Sequence, residues 1–398
     1  MMQRIPLCAL ILSVVGCATS PATTSNAPAV VTGGFVAMLG NDTVTVERYI
    51  RTNSYVEGDF VVRNPSVRII HYRATLGPQG QIMSFTSASR LPTADPASAP
   101  MRQVTTSFGD TLAIVEIMSA GKRDTVNSVR KGFRGPVSVA MPTIPAPLGL
   151  YEALLAGNPA NGRDSVGISL VSGGRAANNT LWIWRTHNGD SVVTRNTWSP
   201  GWYERLSVNR QGQITGGDWR ATTVKVMIKR VDNVQFDVIA KGWSAQQNPG
   251  PLSPLDSVSA SIGGNNIFVK YSRPFTRGRN VWGDVVTWGT RWRFGANAAT
   301  QLTTTKDLVF GSTVVPAGKY TLWMMPSETA PKLIVNSQFG QWGTEFDPSR
   351  DIASIALAMR QATPRAEEFT ISIDQQGSGG VFRFRWADRE YFAPFTVR

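Results

Sequence analysis

Between residues 279 and 300 the chain gathers side chains that could together bind an anionic or sugar-like ligand. An arginine presents five N–H donors in a rigid fork that suits carboxylate or phosphate, tryptophan faces stack on sugar rings or cations, and an asparagine amide both donates and accepts hydrogen bonds. The candidate ligand-binding residues are Arg279, Trp282, Trp292, Arg293, Asn297 and Thr300. The short Gly-Arg, Trp-Gly and Gly-Ala-Asn pieces around them are also typical of tight turns and of buried arginines that donate to backbone carbonyls, so both interpretations stay open.

Side chains that bind metals or act as nucleophiles are scarce. The cysteines are Cys8 and Cys17, and the histidines are His71 and His187. These are too few for a histidine-rich metal site or a facial triad, and they leave little for Ser-His-Asp chemistry. We interpret His187 as an exposed turn residue and His71 as a strand residue rather than as general bases. We therefore expect no metal and no cofactor, and we assign no catalytic residue.

Carboxylates give no recognisable catalytic pair either. A glycosidase needs two carboxyl groups about 5 to 9 Å apart. Asp42 and Glu47 lie on one predicted strand, five positions apart, so they are expected to point to opposite faces. A pair contributed by distant parts of the chain cannot be identified from the sequence.

The first seventeen residues resemble a bacterial lipoprotein signal. Arg4 gives a positively charged start, residues 7–12 are an apolar segment too short to span a bilayer, and small or branched residues lead into Cys17. Cleavage there would make Cys17 the lipid-attachment residue. Residues 18–32 are small, polar and proline-bearing, which predicts a flexible tether. An ordinary secretory signal with an incidental cysteine is the alternative.

This resemblance implies a location in the cell envelope. The protein is expected to face the periplasm and to reach the membrane through its N-terminal lipid. Ala18 occupies the position at which an aspartate tends to retain Gram-negative lipoproteins in the inner membrane, which favours the outer membrane. The ordinary secretory signal would lead to almost the same compartment.

The formal net charge of +13 narrows the choice of partners. The basic residues are spread singly along predicted strands, as at Arg48, Arg51 and Arg63, and form no Lys/Arg-rich run. This pattern does not predict nucleic-acid binding. In an exported protein it favours anionic lipid, acidic glycan or an envelope protein as partner. A solvated face that keeps the protein soluble explains it equally well.

Strand patterns dominate from Gly33 onward. Residues 42–49 alternate polar and apolar side chains with the period of two that predicts a half-buried strand. An Asn-Gly pair at residues 188–189 predicts a tight hairpin turn. Further strands are predicted at residues 221–230 and 235–240, and one short helix at residues 147–156, because its leucines share a face.

A chain with this pattern is expected to be mainly β. Residues 33–243 are predicted to form an antiparallel, curved, open barrel-like sheet with one short helix, because a many-stranded sheet must protect its edges. Residues 244–257 contain three prolines and are interpreted as a linker. A second β domain follows at residues 258–398.

The second domain carries a succession of short motifs. In order they are Tyr271-Ser272-Arg273-Pro274, Gly278-Arg279, Val281-Trp282-Gly283, Trp292-Arg293, Gly295-Ala296-Asn297, Thr300, Val315-Pro316-Ala317-Gly318-Lys319-Tyr320-Thr321-Leu322, Met325-Pro326, Ile334-Val335-Asn336 and Trp342-Gly343. This succession resembles the domain-of-unknown-function 2911 (DUF2911) family of exported bacterial proteins over about residues 258–396. The resemblance implies a compact β-sandwich-like domain without an assigned activity, and it makes residues 352–359 a strand although their spacing suits a helix. Ala298 stands where that family usually has a glutamate.

Two functions remain open. The first is a non-enzymatic, lipid-anchored envelope protein that binds lipid, glycan or protein. The alternative is a hydrolase that acts on an envelope polymer. The shortage of histidine and cysteine, the alanine at position 298 and the strand-dominated pattern favour the binding protein.

Overall fold

The protein is mainly β, as the sequence predicts. The computed structural model describes residues 30–398 except 64–65, 79, 109–111, 130–136, 140–146, 158–164, 173–174, 186–190, 197–202, 210 and 247–249. The predicted signal with Cys17, nearly all of the tether, His187 and the Asn188-Gly189 turn therefore lie outside the described residues.

Fifteen strands form one large sheet. They are β1 (Val31–Leu39), β2 (Asp42–Arg51), β3 (Tyr55–Val62), β4 (Arg68–Leu76), β5 (Ile82–Arg90), β6 (Arg102–Phe108), β7 (Leu112–Ser119), β8 (Lys122–Val129), β9 (Val137–Val139), β10 (Ser165–Ser172), β11 (Arg175–Arg185), β12 (Ser191–Asn196), β13 (Tyr203–Val208), β14 (Ile214–Asp218) and β15 (Met227–Val231). The spatial order runs from β8 down to β1, then from β15 down to β9. Neighbours are antiparallel except β9 and β10, which are parallel.

The sheet is curved and barrel-like without closing on itself. Its edge strands, β8 and β9, are not hydrogen-bonded to each other in the described part of the chain. Cα atoms of β8 nevertheless come within 8 Å of β11, and those of β9 within 8 Å of β5. The expected open, barrel-like sheet is confirmed, apart from its one parallel pair.

The predicted short helix is present as α1 (Leu148–Gly157), which packs against β1, β2 and β3. Its leucines share a core with Phe35 and Tyr49. Two buried carboxylates hold it to the sheet. Glu47 accepts hydrogen bonds from the backbone N–H groups of Leu148 (2.6 Å) and Gly149 (2.9 Å), and Glu152 accepts from the Tyr49 hydroxyl (2.7 Å).

The strand predicted over residues 235–240 is wrong, because this segment begins a second helix, α2 (Phe236–Ala245). Phe236, Ala240 and Trp243 recur at helical spacing and are the buried residues of α2. They pack with Val46 and Val61. Strand side chains alternate between faces, so α2 covers the face of the sheet opposite to α1.

The strand predicted over residues 221–230 starts later than expected, at Met227. The preceding residues turn because the Thr222 hydroxyl donates to the Trp219 carbonyl (2.7 Å) and accepts from the Val224 N–H (3.2 Å). This turn, residues 219–226, is important for the site described below.

Residues 255–398 form the second unit, in which two sheets share one core. The six-stranded sheet contains β16 (Leu255–Ile262), β17 (Asn265–Ser272), β18 (Thr300–Thr304), β21 (Gly318–Met325), β22 (Lys332–Asn336) and β23 (Asp351–Ala356), and the four-stranded sheet contains β19 (Leu308–Phe310), β20 (Thr313–Val315), β24 (Ala358–Gln376) and β25 (Gly379–Val397). A 3₁₀ turn at Pro348–Arg350 precedes β23. The sandwich-like arrangement is confirmed, and residues 352–359 lie in β23 and the start of β24 rather than in a helix.

The first unit, residues 31–245, contacts the second through the β1–β2 turn. The Asn41 N–H donates to the Arg277 carbonyl (2.9 Å). The Arg277 guanidinium forms an ion pair with Asp42 and donates to the carbonyl of Leu252, between the units, at 3.1 Å. One arginine therefore connects the first unit, the second unit and the segment that joins them.

Candidate functional site

A cavity of about 590 Å³ lies between the two units. The first unit contributes Leu39, Val44, Thr45 and Val62 near strand ends, together with residues 221–226 of the turn. The connecting segment contributes residues 251–253. The second unit contributes loop residues between 274 and 297 and residues 342–344. We call this space the interunit cavity.

Four of the six candidate residues line the interunit cavity. They are Arg279, Trp292, Arg293 and Asn297. Trp292 and Arg293 are positioned by a two-way backbone bridge between Trp292 and Met324 of β21, with both N···O distances at 2.8 Å. Most of the residues that suggested a ligand site therefore lie on the wall of one cavity.

Trp282 and Thr300 lie in the core beside the interunit cavity rather than on its wall. Trp282 is 5% exposed, and its indole N–H donates to the Trp386 carbonyl (3.1 Å). Thr300 is fully buried and its hydroxyl donates to the Phe294 carbonyl. Both residues have packing roles here: they support the loop that carries Arg293 and Asn297.

Several wall residues adopt left-handed backbone conformations. Lys225, Arg277 and Asn297 have φ values of +58°, +51° and +59°, and Phe294, directly behind the wall, has +55°. Such conformations are uncommon for residues other than glycine and cluster at functional sites. Four of the six non-glycine residues with positive φ in the described chain are thus found around this cavity.

The charge of the cavity wall is one-sided. Five cations line it: Lys225, Arg277, Arg279, Arg291 and Arg293. No aspartate or glutamate is among the described residues of the wall. Two of the cations are neutralised from behind, since Arg277 pairs with Asp42 and Arg291 pairs with both oxygens of Asp351.

The other three cations have no ion pair with any described residue. Arg279 donates to the carbonyls of Phe275 (2.6 Å) and Thr276 (2.9 Å), and Arg293 makes one long contact to the Asn297 carbonyl (3.4 Å). Lys225 has no hydrogen bond or ion pair within the described part of the chain. Carbonyls orient an arginine without neutralising it, so three positive charges remain for a ligand.

The pKa values of these three cations reflect their burial and the surplus of positive charge around them. Burial, and then repulsion by Arg277, lower the pKa of Arg279 to about 10, with partial compensation from the negative charges of Glu367 and Asp42. Burial also lowers the pKa of Arg293. Burial, with repulsion by Arg293 and Arg279, lowers the pKa of Lys225. An anion placed among these groups would reverse the repulsive contributions.

Two further donors on cavity-lining residues are buried. The Arg277 Nε and the Trp386 indole Nε1 have no hydrogen-bond partner among the described residues. Buried polar groups are normally paired. Both atoms are sealed from solvent, so the donors available to a ligand in the cavity are those of the cationic side chains on its wall.

The rim of the interunit cavity combines an aromatic face with hydroxyl groups. Trp342 lines the cavity and is 50% exposed. Thr287, Thr290 and Thr344 are exposed cavity residues as well. Tryptophan faces with neighbouring hydroxyls are well suited to a sugar ring.

The acid–base side chains His71, Glu47 and Glu152 lie outside the cavity and are bonded to neighbouring protein groups. His71 lies on β4 between Asp59 and Glu57, and the hydrogen bond to Asp59 raises its pKa. Glu47 and Glu152 are buried carboxylates on the same side of the sheet, but both hold α1 in place. Across the described residues no group of three or more His, Cys, Asp or Glu side chains could hold a metal ion.

Sequence reasoning did not identify Lys225, Arg277 or Arg291 as site residues. Arg277 and Arg291 have the residue type that marked the interval, but no neighbouring motif singled them out. Lys225 lies more than fifty residues upstream, in a segment predicted to be a regular strand. No local pattern indicates that its turn faces the second unit.

Comparisons with known proteins agree with the resemblance of the second unit. The family model described as "Protein of unknown function (DUF2911)" matches residues 253–395. That match includes the Arg279–Thr300 interval but not Lys225. No curated protein matches the chain.

One solved structure that is similar to the chain is the beta-barrel-like protein of domain of unknown function DUF1849 from Brucella abortus. It shares 12% sequence identity, with a TM-score of 0.30, and the match covers 51% of this chain and 95% of that one. In the part of the chain that is described, no helix has the length and apolar character to cross a membrane.

Proposed function

We propose that this protein is an exported envelope lipoprotein, anchored through Cys17, that binds an acidic glycan in the interunit cavity. The N-terminal pattern of residues 1–17 and the tether-like residues 18–32 support export and anchoring. We place the protein on the periplasmic side of the outer membrane. The binding function rests on the cavity.

One observation carries the binding proposal: the cavity wall has five cations and no carboxylate among its described residues. Three of those cations, Lys225, Arg279 and Arg293, form no ion pair with a described residue. The basic groups line a cavity of about 590 Å³ rather than an outward-facing surface. That shape suits an acidic sugar unit better than the plane of a lipid bilayer, and the size suits a small ligand better than a folded protein.

The hydrolase alternative receives no support from this cavity. Its described wall offers no carboxylate to act as general acid or base, whereas polymer hydrolysis of the glycosidase type needs two. Binding without chemistry is therefore the function that the geometry favours.

Binding is tested with a double variant, Arg279→Ala with Arg293→Ala, on arrays of acidic and neutral glycans. We expect the unaltered protein to be retained on acidic glycans and the double variant to lose at least tenfold in retention. Arg350→Ala removes an exposed arginine of the same unit (58% side-chain exposure) and is the matched control. Unchanged retention of a folded double variant would eliminate the cavity as the site. Retention on phosphatidylglycerol vesicles instead would identify lipid as the partner.

Anchoring is tested by the intact mass of the mature protein, which reports cleavage and acylation together. We expect cleavage before Cys17 and a diacyl or triacyl mass increment. Cys17→Ala should abolish lipid labelling and membrane fractionation. A Cys17→Ala protein that is still labelled and membrane-bound contradicts the anchoring proposal.

A further inference from the structure

The three cations that form no ion pair in the described part of the chain come from both units. Lys225 belongs to the 219–226 turn of the first unit, whereas Arg279 and Arg293 belong to loops of the second. Lys225 is close enough to both arginines for their charges to lower its pKa. Both units therefore contribute positive charges to the wall of the interunit cavity.

The backbone holds Lys225 in this position at an energetic disadvantage. Its φ of +58° lies in the left-handed region, which a lysine rarely adopts. Neither a hydrogen bond nor an ion pair to any described residue offsets that conformation. A lysine with a strained backbone, on the wall of a cavity and without a partner among the described residues, points to a ligand contact rather than to a structural role.

Acceptor number distinguishes the possible anions. A carboxylate has two oxygens, which one arginine fork can satisfy. A phosphomonoester has three terminal oxygens and up to two negative charges at neutral pH. Three cations contributed by two units to one cavity wall match the phosphomonoester, and Trp342 with the threonine hydroxyls of the same wall matches a sugar ring attached to it.

We propose that the ligand is a sugar that carries a phosphomonoester group, and that Lys225 of the first unit binds this group jointly with Arg279 and Arg293 of the second. This inference rests on the proposed function, because it names the ligand class of the same cavity. It assigns a binding role to Lys225, which lies outside the DUF2911 match. The second unit alone would hold an incomplete site.

The test is calorimetric titration of the purified full chain with glucose 6-phosphate, glucuronate, glucose and inorganic phosphate. We expect glucose 6-phosphate to bind at least tenfold more tightly than glucuronate or inorganic phosphate, and glucose not to bind. A mannan that carries phosphomonoester groups, titrated in parallel, distinguishes a polymer-borne sugar phosphate from a free one. Tighter binding of either phosphorylated sugar than of glucuronate supports the proposal.

Two substitutions of Lys225 separate binding from structure. Lys225→Ala removes the charge at the same backbone conformation, and Lys225→Gly removes it while taking a positive φ without steric conflict. Both should weaken glucose 6-phosphate binding at least tenfold, and Lys225→Gly should leave the Tm unchanged or raise it. Lys229→Ala, at an exposed lysine of β15, is the matched control and should bind normally.

The outcomes keep the two proposals distinct. If glucuronate binds as tightly as glucose 6-phosphate, or if both Lys225 variants bind normally, the present inference fails. The proposed function then survives provided that binding still depends on Arg279 and Arg293. If none of the anionic probes binds, the present inference fails, and the acidic-glycan arrays decide the proposed function separately. A lower Tm of Lys225→Gly with unchanged affinity would give Lys225 a structural role and would also overturn the inference.

Discussion

Glu47 is a carboxylate buried between β2 and the first turn of α1, and its protonation should affect folding. Burial is the main cause that raises its pKa to about 7, although the Tyr72 hydroxyl (2.6 Å) and two backbone N–H groups favour the charged form. The folded state therefore binds more protons than the unfolded state between about pH 4.5 and 7. The stability linked to Glu47 is full below pH 4.5 and is lost as the pH rises through 7.

We predict that Glu47→Gln flattens the pH dependence of stability. The free energy of unfolding, measured by urea denaturation from pH 4.5 to 8, should fall with pH less steeply in the variant, by at most about 1.4 kcal/mol per pH unit. The amide cannot accept hydrogen bonds at both of its terminal atoms, so the variant is less stable throughout and the slope is the quantity to compare. Glu116→Gln, on the same sheet with 43% side-chain exposure, is the control. Parallel slopes for wild type and Glu47→Gln would show that Glu47 has the same pKa in the folded and unfolded states, against the prediction.

Residue types in the sequence indicated only some of the residues that line the cavity. Arg279, Trp292, Arg293 and Asn297 meet because they lie in neighbouring loops of one unit. The same residue types also placed Trp282 and Thr300 among the candidates, although burial puts both in the core. Lys225 completes the wall from another unit, and the contact of two units is not encoded in any local spacing.

Helix α2 is the element that sequence patterning assigned wrongly. The run Asp237-Val238-Ile239 contains β-branched residues, which favour a strand over so short a window. The helix forms because Phe236, Ala240 and Trp243 bury one face against the sheet, and Val238 is left 67% exposed. Strands such as β2 were predictable because one buried face produces a period of two, and α1 because its leucines share a face.

A pair of substitutions tests this assignment. In an exposed helix position alanine is favoured over valine by about 0.5 kcal/mol, so Val238→Ala should leave stability unchanged or raise it slightly. Trp243→Ala should lower the free energy of unfolding by about 3 to 5 kcal/mol, because it removes a buried aromatic side chain. Urea denaturation of both variants gives the comparison. A clear loss of stability in Val238→Ala would favour a strand at this position.

At the scale of the whole molecule, the cavity exists only because two β units meet. Its wall takes residues from the ends of β1 to β3, from the 219–226 turn and from loops of the second unit. Arg277 is the main polar contact at this junction: it pairs with Asp42, donates to the Leu252 carbonyl, and its side chain is 11% exposed. Because this cation is mostly buried, solvent screens its interactions only weakly. Its loss would leave Asp42 without its ion-pair partner and the Leu252 carbonyl without its donor.

We therefore predict that Arg277→Met uncouples the two units. Differential scanning calorimetry should show one transition for the wild type and two resolved transitions, or one broadened at its low-temperature side, for the variant. Small-angle scattering should give a larger radius of gyration, and affinity for acidic sugars should fall although Arg279, Arg293 and Lys225 are all present. Arg350→Ala controls for the loss of an arginine elsewhere in the second unit. An unchanged calorimetric profile with unchanged affinity would mean that the remaining contacts, including the backbone hydrogen bond from Asn41 to residue 277, suffice to hold the units together. The ion pair with Asp42 would then contribute as little as an exposed surface pair, about 0 to 1 kcal/mol.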